Sequence, residues 1–109
     1  MRFYPLDKLI NLHDGYCRQF KIDHLHLLLV QRDNERYLVE AYCPHRGHPL
    51  DAAVIAAGVV QCALHQYRFS LGDGRLLHYT EEPCRALRTW PVAYEGNEVG
   101  VILDDEPGD

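Results

Sequence analysis

The distribution of hydrophobic and polar positions along the first part of the chain predicts short strands separated by turns. Residues 17–22 predict a strand, because Phe20 and Ile22 alternate with Gln19 and Lys21 as in a half-buried strand. Residues 25–30 are a continuous apolar run short enough for a buried strand, and residues 37–41 predict a third strand. Polar turn residues separate these segments, at Asp23-His24 and Arg32-Asp33-Asn34. The pattern therefore predicts an antiparallel meander.

The second part of the chain combines loops with shorter strands. Residues 43–50 are rich in Pro, Gly and His and predict a loop, and a second loop begins at residues 65–69. Short strands are predicted at 54–57 and 59–62 around Gly58, and at 76–77 after the turn at 72–74. Two last strands, 89–94 and 99–103, flank Gly96-Asn97, which is typical of a hairpin. Trp90 and Tyr94 alternate within the first of these and are expected in the core.

One segment, 5–12, has Leu6, Leu9 and Ile10 at helical spacing, and it predicts a single short helical turn. We find no internal repeat, low-complexity stretch or linker. The 109 residues are expected to form one domain, 1–109, of the all-β class. The acidic residues 104–109 are expected to form a frayed tail.

Composition narrows the functional classes. With 11 basic and 16 acidic residues the formal charge is −5, which disfavours nucleic acid as a partner. No apolar run approaches the roughly 20 residues that span a bilayer, and the start lacks the apolar region of a signal peptide. We therefore expect a cytoplasmic protein that does not contact membranes. In that reducing compartment, four cysteines indicate metal binding or free thiols rather than disulfides.

Two short motifs supply metal-binding side chains. Cys43-Pro44-His45 is a Cys-x-His pair, and Cys62-Ala63-Leu64-His65 is a Cys-x-x-His pair, with 16 residues between His45 and Cys62. Each predicted loop therefore offers one thiolate and one imidazole. Two thiolates and two imidazoles suit a mixed-ligand [2Fe–2S] centre, in which cysteines hold one iron and histidines the other. They also suit a tetrahedral zinc site.

Spacing favours iron over zinc, because common zinc modules pair two cysteines on one loop and two histidines elsewhere. The arrangement here, with the flanking stretches 43–50 and 62–69, resembles the two cluster loops of the Rieske family. The resemblance extends to the later Gly72, Gly74 and Pro83 and covers nearly the whole chain. It implies an antiparallel β-sandwich or partly open barrel, with a small cluster-binding subdomain of two loops at about residues 42–84.

The resemblance also implies the role of each ligand in one Rieske [2Fe–2S] cluster. Cys43 and Cys62 would hold the inner iron, and His45 and His65 the outer iron near the surface. The remaining cysteines are not expected to be ligands. Cys17 is predicted to be a buried free thiol, and Cys84 follows Pro83 in a segment that covers the cluster in the family.

Departures from the high-potential members of the family indicate a low reduction potential. Those proteins have a disulfide between the loops, at positions that hold His48 and Leu64 here. They also place two hydroxyls against the cluster, at positions that hold Tyr67 and Phe69 here. Phe69 has no hydroxyl, and the ring of Tyr67 is expected to pack outward. Gln66 stands where the family usually has Gly, which would strain the loop if the backbone there needs positive φ.

The resemblance implies a ferredoxin that carries single electrons from a reductase to a terminal oxygenase and has no catalytic activity alone. Only 40 residues follow Phe69, too few for the mononuclear-iron domain of the family's oxygenases, and no nucleotide-binding glycine motif is present. One alternative is a small electron-transfer subunit of a larger oxidoreductase such as a nitrite reductase. Another is a metal-dependent structural or regulatory module, with zinc or a redox-sensing cluster.

Overall fold

The described part of the chain is built from three antiparallel β-sheets. A computed structural model describes residues 2–44, 47, 49–50, 53–63 and 66–103. The strands in these ranges are β1 Arg2–Lys8, β2 Cys17–Ile22, β3 Leu25–Arg32, β4 Glu35–Glu40, β5 Val54–Ala56, β6 Val59–Gln61, β7 Arg68–Ser70, β8 Leu76–His78, β9 Thr89–Trp90, β10 Ala93–Glu95 and β11 Glu98–Leu103. Their orders are β1-β11-β10, β2-β3-β4-β9 and β5-β6-β7-β8. The predicted all-β antiparallel fold is confirmed.

Strand β3 lies between the two hydrophobic cores because side chains of a strand alternate between its faces. Leu27 and Leu29 enter one core, together with buried valines of β11. Leu28 and Val30 enter the second core, which is shared with the β5–β8 sheet. Both faces of β3 are therefore covered, and this explains why its sequence is a continuous apolar run.

The conformation of the turn residues sets the geometry of the hairpins in the predicted meander. Strands β2, β3 and β4 pair with their neighbours along their whole length. Asp33 and Asn34 between β3 and β4 have φ of 53° and 65°, which is the left-handed geometry of a tight hairpin turn. The β5–β6 hairpin turns in the same way at Ala57 and Gly58, with φ of 53° and 73°.

The expectation of a helical turn over 5–12 is wrong for most of that segment. Residues up to Lys8 belong to β1, which pairs with β11, and only Leu9–Asn11 forms a 3₁₀ turn. Ile10 is 87% exposed, so it does not share a buried face with Leu6 and Leu9. Pro5 is tolerated because β1 is the edge strand of its sheet, where a missing N–H costs no ladder bond.

The predicted strand 89–94 is two strands in different sheets. β9 pairs with β4, whereas β10 pairs with β11, so the chain changes sheet at Pro91. Trp90 packs against the core as expected. Tyr94 does not, because the break ends the alternation: its side chain is 52% exposed, with the Arg36 guanidinium 5.7 Å from its ring centroid.

Strand β7 lies partly in a stretch that was expected to be a loop. It pairs with β6 and β8, and its central Phe69 is fully buried. The expected cluster-binding subdomain, about residues 42–84, contains the whole β5–β8 sheet. Residues 104–109, expected to be a frayed tail, lie outside the described residues. No helix in the described part of the chain is long and apolar enough to cross a membrane.

Candidate metal centre

The first cysteine of the predicted site follows β4 and starts a tight turn. The Cys43 carbonyl accepts a hydrogen bond from the Gly47 amide at 2.7 Å. The Leu50 amide, after this turn, donates to the Ala41 carbonyl at 2.7 Å, which closes the loop against the end of β4. The Cys43 side chain is only 1% exposed. This part of the sequence therefore holds one thiol under the surface at the base of a closed loop.

The second cysteine has an equivalent position after β6. The Cys62 amide donates a hydrogen bond to the Tyr67 carbonyl at 2.8 Å, which closes the second loop where β7 begins. The Cys62 side chain is also 1% exposed. Cys43 and Cys62 belong to the same hydrophobic core. The fold therefore brings together two thiols that are 19 positions apart in the sequence (62 minus 43).

The other predicted ligands, His45 and His65, lie outside the described residues, as do Arg46, His48 and Leu64. Within the described ranges no group of three or more His, Cys, Asp or Glu side chains is placed to hold a metal. None of the four cysteines forms a disulfide. The set of four ligands therefore stays a prediction. The structure places two of its members, the buried thiols of Cys43 and Cys62.

Tyr67 does not pack outward, as the sequence led us to expect. Its ring is fully buried in the core that also contains Cys43 and Cys62. Its hydroxyl donates to the carbonyl of Glu82 and accepts from the amide of Glu82 at 3.0 Å. Tyr67 thus connects the second loop to the chain segment 82–88.

The 82–88 segment packs against the same core as the two buried thiols. Cys84 is half-buried against that core. Burial raises the pKa of the Cys84 thiol, and the neighbouring Cys43 thiol adds to the rise. The Leu87 amide donates to the Gly74 carbonyl at 2.8 Å, so the segment is also bonded to the turn before β8. The structure therefore places Cys84 against the core that contains Cys43.

Sequence reasoning missed the residue that fixes the other end of this segment. Glu40 is buried at the end of β4, and both its carboxylate oxygens accept hydrogen bonds from the Arg85 guanidinium, at 2.6 and 2.9 Å. One of the same oxygens accepts from the Arg88 amide at 2.8 Å. The bond to Glu40 raises the pKa of Arg85, and the Cys84 and Cys43 thiols add to the rise. The sequence contains one indication of this contact, the carboxylate of Glu40 inside the apolar run 38–41. A charge buried in such a run requires a partner.

Gln66 has the backbone conformation that its family position implies. Its φ is +58°, in the left-handed region that costs an ordinary residue about 1–2 kcal/mol. The residue is exposed, so no buried contact of its side chain compensates this strain.

Replacing Gln66 by glycine is expected to stabilise the protein by about 0.5–1 kcal/mol, which is the relieved strain less the added entropy of an unfolded glycine. Thermal unfolding of the metal-loaded protein at a fixed scan rate measures it. Ala63→Gly is the matched control, because Ala63 is exposed in the same loop and has no positive φ. That variant is expected to be slightly less stable than the wild type. Equal shifts in the two variants would contradict strain at Gln66.

Cys17 and His26 make packing contacts near the proposed site. Cys17 packs against the core of the buried thiols but is half-buried rather than buried as predicted. His26 stacks edge-on against Tyr42, with ring centroids 5.2 Å apart, and Tyr42 in turn accepts a hydrogen bond from Gln19 at 3.0 Å. These contacts support the chain immediately before Cys43.

Comparisons with known proteins agree with the geometry. The model of the Rieske [2Fe-2S] domain family matches residues 2–91. The ferredoxin component of the naphthalene 1,2-dioxygenase system of Pseudomonas aeruginosa is 25% identical over 95 residues, which are 87% of this chain and 89% of that protein. The solved ferredoxin of carbazole 1,9a-dioxygenase from Nocardioides aromaticivorans IC177 has a TM-score of 0.78 and 26% identity, covering 93% of this chain and 97% of that one.

A similar segment also occurs within a much larger protein. Apoptosis-inducing factor 3 of Mus musculus is 32% identical over 66 residues, which are 61% of this chain and 11% of that protein. The chain thus spans about a tenth of the length of this relative.

Proposed function

Because this chain belongs to the Rieske [2Fe-2S] domain family, we propose that it is a one-electron carrier whose cluster is held by Cys43, His45, Cys62 and His65. The family's cofactor is one [2Fe–2S] cluster, which accepts and releases a single electron when bound. The observation that carries the proposal is the burial of two thiols in one core, each at the base of its own closed loop.

The donor set fits such a cluster. Soft thiolates are the ligands that iron–sulfur clusters prefer, and Cys43 and Cys62 supply two of them away from solvent. Each is followed within three positions by an imidazole donor, His45 or His65. The buried core around the thiols excludes water on their side, so we expect electrons to enter and leave on the histidine side.

We propose that the redox partners are a reductase and a terminal oxygenase. Support comes from the ferredoxin component of a naphthalene 1,2-dioxygenase system and from the carbazole 1,9a-dioxygenase ferredoxin, both of which align over most of their length. A role as an electron-transfer subunit is the second candidate, because a similar segment lies within a much larger relative. Co-purification with a larger redox subunit would select it. A cytoplasmic location and a low potential stay predictions.

Electron paramagnetic resonance of the dithionite-reduced protein tests the proposed cluster directly. We expect the rhombic signal of a mixed-ligand [2Fe–2S] centre and about two iron atoms per chain. Replacing His45 or His65 by alanine should remove that signal, whereas His24→Ala, an exposed histidine in the turn between β2 and β3, should keep it. A colourless protein that contains zinc and no iron would contradict the proposal.

A further inference from the structure

The Glu40–Arg85 ion pair lies where strand β4 leads into the first cysteine loop. Glu40 is the last residue of β4, three positions before Cys43. Its side chain is 9% exposed, and that of Arg85 is 54% exposed. The two-pronged contact is the strong form of an Arg–carboxylate pair, because two parallel charge-assisted hydrogen bonds fix its geometry.

The pair extends the pairing of β4 with β9 toward the cysteines. Thr89 pairs with Val39, and beyond this pair the Glu40 amide donates to the Arg88 carbonyl at 2.9 Å. The Glu40 carboxylate accepts from the Arg88 amide and from Arg85. Backbone and side chain of one residue therefore bind the 82–88 segment at several points, while Tyr67 binds its other end at Glu82.

This arrangement places two opposite charges beside the proposed cysteine ligand. Cys84, next to Arg85 in the chain, packs against the core that contains Cys43. Glu40 lies three residues before Cys43, so their Cα atoms are at most about 11 Å apart. Because Glu40 is buried, salt screens its charge less than that of an exposed residue. Near a protein surface the effective dielectric constant is about 20, so a charge at this range acts measurably on a neighbouring redox centre.

Building on the proposed function, we propose that Glu40 and Arg85 are positioning residues that hold the 82–88 segment beside Cys43 and balance each other's charge on the cluster. Reduction adds one negative charge, which a nearby cation favours and a nearby anion opposes. With both residues present the two effects largely cancel. Removing one partner leaves the charge of the other uncompensated.

The test measures the reduction potential of the holoprotein at one pH in four proteins: wild type, Glu40→Gln, Arg85→Gln and the double variant. We expect Glu40→Gln to favour reduction and Arg85→Gln to disfavour it. Each should change the equilibrium constant for reduction by roughly threefold to tenfold, and tenfold corresponds to about 59 mV for one electron. The double variant should lie close to the wild type.

Opposite signs separate charge balance from a merely structural role. If the pair only fastens the segment, both single variants loosen it and shift the potential in the same direction, which would overturn the proposal. Controls on the same strand are Glu35→Gln and Arg36→Gln, about 17 and 14 Å from Glu40 at about 3.4 Å per residue. Both distances exceed the screening length of about 8 Å at physiological salt, so these controls should leave the potential unchanged.

The outcomes also distinguish this proposal from the function on which it rests. A wild type without the [2Fe–2S] resonance signal contradicts the proposed function, whereas an intact signal with single-variant potentials no different from the controls contradicts the ion-pair proposal alone. If Glu40→Gln does not fold, the comparison of Arg85→Gln with Arg85→Lys still decides, because lysine keeps the positive charge but not the two-pronged contact. The proposal requires Arg85→Gln to be harder to reduce than Arg85→Lys, and the reverse order or equality overturns it.

Discussion

Replacing Cys43 or Cys62 by serine is expected to abolish the cluster. Both thiols are 1% exposed, so a serine there buries a hydroxyl, which is a harder and weaker ligand for iron than a thiolate. Iron should fall from about two atoms per chain to background, and the reduced protein should lose its resonance signal. Metal binding and folding are coupled in small metal domains, so the yield of folded protein should fall as well.

The other two cysteines supply matched controls in the same chain. Cys17 and Cys84 are half-buried and pack against the same core as the proposed ligands. Cys17→Ser and Cys84→Ser are expected to retain the full iron content. Loss of iron in Cys84→Ser, or a normal resonance signal in Cys43→Ser, would mean that the ligand assignment is wrong.

Local sequence patterns correctly predicted those strands and turns whose conformation depends on neighbouring residues in the chain. The β2–β4 meander follows from side-chain alternation and from polar residues that accept positive φ, such as Asp33 and Asn34. The continuous apolar run of β3 correctly indicated burial, because β3 contributes to both cores. The spacing of the two motifs predicted one shared site, which stays a prediction; the structure places its two cysteines in one core.

Local patterns gave wrong or incomplete predictions where the structure depends on contacts between residues far apart in the chain. Strand β1 forms because it pairs with β11, more than 90 positions later for the pair Arg2 and Leu103, and no local signal shows such pairing. The same holds for Tyr94, whose exposure depends on the change of sheet at Pro91. The Glu40–Arg85 contact joins residues 45 positions apart, and only the isolated carboxylate in an apolar run hinted at it.

Gly74→Ala is expected to cause a large loss of stability while leaving all four proposed ligands in place. A Cβ at this position would lie 1.8 Å from the Leu87 carbonyl oxygen, and the backbone φ is +76°. The Leu87 amide also donates to the Gly74 carbonyl, so relieving the clash disrupts a bond that holds the 82–88 segment. We expect a cost of about 3 kcal/mol or more, which lowers the thermal midpoint of a domain of this size by at least about 12 °C.

Comparison with Gly58→Ala separates the stability lost through the clash at Gly74 from that lost through the left-handed backbone conformation. Gly58 has nearly the same φ, +73°, but nothing lies within 4 Å of the added Cβ. The left-handed conformation alone should therefore cost about 1–2 kcal/mol at Gly58. The additional loss in Gly74→Ala then measures how firmly the 82–88 segment is packed against the turn before β8. Equal thermal midpoints for the two variants would show that the segment moves aside easily, and would weaken its role in positioning Cys84 and Arg85 beside Cys43.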